Sequence, residues 1–118
     1  MALKGGYSQT PLGAGGAAAS ANRIQNATPT EGGTTTMTQD SNEATLVLSA
    51  GANLTAATVA IPADAVSRIG QNISIASLRG ITTVSYSGGT VRNPYSNFNA
   101  DDCVTYRKIA ANTWIRLI

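Results

Sequence analysis

Beyond residue 44, apolar and polar residues alternate with a period of two over much of the chain. Successive side chains of a strand point to opposite faces, so this alternation predicts half-buried strands. "ATLVLSA" (44–50) is an apolar run of strand length that stops at Gly51 and Asn53. "ATVAIP" (57–62) places Val59 and Ile61 on one face, and Pro62, which has no N–H to give, ends it. "ADAVSRIG" (63–70) predicts one short helical turn, with Asp64 as its cap, Val66 and Ile69 three apart and Gly70 at its end. "QNISIASL" (71–78) turns Ile73 and Ile75 inward, and "ITTVSYS" (81–87) follows an Arg79-Gly80 turn. Gly88-Gly89 suits a two-residue hairpin turn into "TVRN". "PYSNFNADD" (94–102) is a loop of turn formers, with Tyr95 and Phe98 as anchors. "CVTYRKI" (103–109) and "NTWIRLI" (112–118) form a closing hairpin around Ala110-Ala111-Asn112.

Short strands at regular spacing, with no strong helix between them, predict an all-β fold. The expected architecture is a small antiparallel sandwich or barrel-like module over residues 44–118, preceded by an extended, poorly structured N-terminal arm over residues 1–43. The arm follows from composition: Gly, Ala, Ser and Thr supply 24 of its 43 positions. Its large apolar residues are Leu3, Tyr7, Leu12, Ile24 and the two Met. Such a segment buries too little apolar surface to offset its ordering entropy. The β-domain is itself small, and a small core is commonly completed by association.

Net charge is +2. The arm has Lys4 and Arg23 against Glu31, Asp40 and Glu43, so the excess of positive charge lies in the β-domain. Arg68, Arg79, Arg92, Arg107, Lys108 and Arg116 are spread along strands and turns, as solvated edge residues are. This excess is too weak to predict nucleic-acid binding. No apolar run is long enough to span a membrane, and "MALKGGYSQT" has no signal-peptide core, so the chain reads as made in a cytoplasm.

Candidate chemistry is sparse. The chain has no His and one Cys, which excludes a Ser-His or Cys-His triad within it and predicts neither zinc nor any other cofactor. Cys103, with no imidazole to activate it, reads as a buried or half-buried structural thiol. Asp101 and Asp102 are adjacent, and on a strand they point to opposite faces, a poor geometry for shared acid–base work. "NFNADD" spaces Asn97, Asn99 and Asp101 like the start of a calcium loop, but Asp102 stands where the loop needs Gly and Lys108 where it needs Glu. "GAGGAA" (13–18) lacks the strand and helix that would make it a dinucleotide fingerprint. The residues predict no enzyme. Tyr86, Tyr106 and Trp114 read as core or subunit-interface residues.

"TVSYSGGTV" (83–91), the loop after it, "TYRK" (105–108) and "NTWIR" (112–116) together resemble the C-terminal β-module of tailed-bacteriophage virion structural proteins, with Val84 to Val91, Tyr106, Asn112, Trp114 and Arg116 carrying the likeness. "ATVAIPADAVSRIGQNISIAS" (57–77) is similar to the lead-in of those modules, and the arm has no counterpart. The resemblance implies a compact, usually trimeric module on a virion assembled in the host cytoplasm. A chain with an arm, one knob and no shaft then suits a capsid decoration (cement) protein bound to the major capsid protein, with Leu3, Tyr7, Leu12 and Ile24 as docking contacts. Two alternatives stand beside it. One is a head or tail fibre component or tail adaptor. The other is a carbohydrate-binding module that uses Trp114, Tyr106 and Tyr95 as sugar platforms.

Overall fold

The structure, a computed structural model, describes residues 23–38 and 43–117. The protein is all-β. Among the described residues nine strands run in the order β1 (Arg23–Ala27), β2 (Thr34–Thr36), β3 (Glu43–Leu48), β4 (Leu54–Ala60), β5 (Asn72–Ser77), β6 (Ile81–Ser87), β7 (Thr90–Arg92), β8 (Asp102–Ala110) and β9 (Thr113–Arg116). They form a six-stranded sheet ordered β1-β3-β5-β8-β9-β7 and a three-stranded sheet ordered β2-β4-β6.

From β1 to β7 the chain steps to the other sheet with every new strand. From β3 to β6 each strand therefore lies beside the strand two before it, so β1-β3-β5 and β2-β4-β6 are parallel ladders, while β7 joins the first sheet at its other edge, on β9. The result is a short coil, a β-solenoid, whose two walls are the two sheets. This corrects the antiparallel expectation, which holds only for β5 with β8 and β8 with β9. Alternation reports which face a side chain takes and carries no information on strand direction. The Gly88-Gly89 step is likewise a corner between walls and not a hairpin, because β7 pairs in parallel with β9. Glycine is required there: Gly88 has φ +86°, and a Cβ on Gly89 would lie 2.8 Å from the Asn112 carbonyl oxygen.

The arm boundary also moves. Arg23–Ala27 and Thr34–Thr36, inside the stretch expected to be arm, are the first strands of the two walls. Their propensity is modest, but each adds to an existing ladder, β1 on β3 and β2 on β4. Tertiary pairing decides where local sequence is weak.

Ladder register stacks like residues inside the coil. Leu46 lies beside Ile75, and Ile75 beside Val104. Leu46, Leu48, Val59, Ile73, Ile75, Ile81, Phe98, Tyr106 and Trp114 are all buried. Burial of each such side chain contributes about 1.5–3 kcal/mol. At the β1 end the apolar columns stop on polar residues: Gln25 lies beside Leu46, and Arg23 beside Ala44. A 3-10 turn at Asp64–Val66 is the helical turn the sequence predicts, but Asp64 makes no cap bond.

Candidate functional site

The two ends of the coil carry different chemistry. At the far end, Trp114 lies between Lys108 of β8 and Val91 of β7 and is fully buried. Its indole N–H finds no acceptor among the described residues, so the ring acts by volume. Tyr106 is also fully buried, and its hydroxyl joins two elements. It donates to the Tyr86 hydroxyl at 2.8 Å and accepts from the Tyr95 N–H at 2.9 Å. The Tyr86 hydroxyl donates in turn to the Tyr95 carbonyl at 2.7 Å. Burial first, and then the bond from Tyr106, push the Tyr86 hydroxyl far above its ordinary pKa. The two rings meet edge to face with centroids 5.5 Å apart.

The loop after β7 lies along the free edge of β6. The Ile81 and Val84 N–H groups donate to the carbonyls of Phe98 at 2.8 Å and Ser96 at 2.7 Å. Asp102 fixes that loop by accepting from the Tyr95 hydroxyl at 2.7 Å and the Asn99 N–H at 2.8 Å. These bonds, the tyrosine's first, hold the Asp102 carboxyl below its usual range, and the same bond pushes the Tyr95 hydroxyl up. The Arg116 guanidinium sits 5.6 Å from the Tyr95 ring centre. Asp102 is thus a loop anchor, and among the described residues no group of metal-ligating side chains forms.

Lys108 corrects the view of the basic residues as solvated edge charges. It is buried, and its ammonium donates to Asp64 at 2.5 Å and to the Ser67 hydroxyl at 2.8 Å. Asp64 also accepts from the Asn112 N–H at 2.9 Å, in the β8–β9 turn. The lysine bond first, then the backbone bond, hold the Asp64 carboxyl below its ordinary value. Cys103 is exposed, where a buried or half-buried thiol was expected, because its outward position on β8 leaves the side chain on the sheet surface. Partial burial of the sulfur pushes its thiol pKa up, which disfavours the reactive thiolate.

At the near end, Leu3, Tyr7 and Leu12 lie outside the described residues. Ile24 belongs to β1 and stands 64% exposed on its outer face. Beside it, the Gln25 amide bridges the walls, donating to the Thr36 carbonyl at 2.8 Å and accepting from the Thr38 N–H at 2.9 Å. Sequence reading missed Gln25 and the Asp64–Lys108 pair. "RIQNA" is too short for a period to emerge, and the pair joins residues far apart in the chain. The structure brings Tyr86, Tyr106 and Trp114 together at the far end and keeps Ile24 apart from them at the other.

Comparison of the chain with protein families, with curated proteins and with solved structures finds no match.

Proposed function

We infer that the protein is a structural component of a virion, a capsid decoration (cement) protein that docks on the assembled shell. The division of the chain into two physically different parts carries this reading. Residues 23–117 contain a packed β-coil, and residues 1–22 are rich in Gly, Ala and Ser with Leu3, Tyr7 and Leu12 as isolated apolar contacts. A segment of that composition has too few apolar residues to build a core of its own and suits contacts with a partner surface. Binding the assembled shell and not its free subunits stabilises the shell by mass action. The major capsid protein is the proposed partner.

The buried positions of Trp114 and Tyr106 weigh against the carbohydrate-platform reading, since neither ring offers a face to a sugar. Tyr95 alone of the three is partly exposed, and Arg116 already lies over its ring. The test is removal of residues 1–22 while keeping β1, followed by measurement of occupancy on the parent particle by cryo-electron microscopy. The expected result is a folded protein that no longer occupies the shell. Full occupancy without those residues would overturn the docking role, and density on the tail would replace the decoration reading with the fibre or adaptor one.

A further inference from the structure

We propose that β1 is an interface strand, which pairs antiparallel with β1 of a second copy about a two-fold axis at Gln25. This proposal is independent of the virion reading. It starts from backbone direction. The Ala27 carbonyl accepts from the Ser49 N–H at 2.8 Å, so Ala27 points its backbone groups at β3. Backbone groups alternate sides along a strand, so Arg23 and Gln25 share that direction while Ile24 and Asn26 point away. The N–H and C=O of Ile24 and Asn26 have no partner among the described residues.

Proteins blunt an exposed sheet edge with bulges, prolines, very short strands or a covering loop. The far end shows such devices. Residues 96–98 cover β6, and β7 is three residues long, followed by Asn93 at φ 55° and Pro94. β1 has no bulge, proline or covering loop: its register runs unbroken from Arg23↔Ala44 to Ala27↔Leu48, and its one charged residue, Arg23, stands at its first position and leaves Ile24 to Ala27 without a charge. Its neighbour at the same end, β2, is partly closed by the Gln25 amide on Thr36 and Thr38. The open edge of this end is therefore β1.

A second copy fits it. With Gln25 opposite Gln25 of the other copy, Ile24 falls opposite Asn26 in both halves. Both residues point their backbone groups at the partner strand, so all the free groups of the two copies bond one another. The axis stands normal to the sheet, so Arg23, Gln25 and Ala27 stay on the inner face and the exposed Ile24 gains a neighbour. The contact is isologous, and the blunted far ends stop it at a pair. Residues 1–22 of the same chain are a poorer occupant, since Gly5, Gly6, Gly13, Gly15, Gly16 and Pro11 make a weak strand.

Light scattering on the full chain across a concentration series tests the pairing. The mass is expected to rise toward twice the 12.0 kDa of one chain, with the Ile24 and Asn26 amides becoming protected from hydrogen exchange as it does. Asn26→Pro removes an N–H that its own ladder does not use, and is expected to restore the single-chain mass with an unchanged far-ultraviolet spectrum. If that variant fails to fold, Gln25→Cys with Cys103→Ser decides. The two-fold axis sets facing α-carbons at about 4.5 Å, a spacing that a disulfide bridges, so oxidation is expected to give a covalent dimer. A single-chain mass throughout, a three-chain mass, a folded Asn26→Pro variant that still pairs, or no cross-link each overturns the proposal. Protected Ile24 and Asn26 amides in a monomer also overturn it and assign the edge to residues 1–22.

Discussion

At one end of the coil, apolar columns finish on Trp114, Tyr106 and Phe98, all buried, and the tyrosine hydroxyls satisfy one another. At the other, the columns finish on Arg23 and Gln25, and the outward N–H and C=O groups of Ile24 and Asn26 in β1 have no partner among the described residues. The same strand geometry serves both ends. They differ in the side chains that stop the stack: buried aromatic rings at one, polar and charged groups at the other. The far end is therefore expected to contribute more to stability than the near end.

The largest expected effect tests that division directly. Trp114→Ala removes the plug, and its loss should destabilise the fold by about 3–5 kcal/mol in denaturant unfolding. Ile24→Ala, at the exposed near end, should stay within about 0.5 kcal/mol. Equal losses at the two sites would break the comparison.

Next in size is Asp64→Ala, which leaves the buried Lys108 ammonium without its carboxylate. It should lower the melting temperature, and adding Lys108→Met should recover most of the loss, because an apolar side chain of similar length needs no counter-charge. A double variant no better than Asp64→Ala would show that the carboxylate acts mainly through the Asn112 N–H.

Acid should act on the same end. Asp64 and Asp102 are both held below the ordinary carboxylate range in the folded chain. The unfolded chain then binds more protons as pH falls through about 4. Their contribution to stability is complete above that pH and fades as pH drops toward the folded values. Thermal unfolding followed from neutral pH downward should show this decline, and Asp102→Asn should make it shallower. A smaller effect than at Trp114 or Asp64 is expected at Gln25→Ala, about 1 kcal/mol or less, because the Thr36 and Thr38 groups it releases lie at the surface, where water replaces the amide.

The all-β class was legible in the sequence, and so were several local elements. Val59, Ile61, Ile73 and Ile75 are buried as their alternation required, and the hairpin around Ala111-Asn112 joins β8 to β9. Tyr106 and Trp114, read as core or subunit-interface residues, are buried within the chain itself. Strand direction, the corner at Gly88-Gly89, the inclusion of β1 and β2 and the burial of Lys108 were not legible. Each depends on which distant residue lies alongside: Ala44 beside Arg23, Asn112 against Gly89, Asp64 under Lys108.

The sequence by itself determined which face β4 and β5 bury, because side-chain alternation is a local property with a fixed period of two. Only the tertiary structure decided that the strands coil into two parallel walls with one plugged end and one open edge. Parallel pairing joins residues a full turn of the coil apart, and no local pattern records which turn a strand will meet.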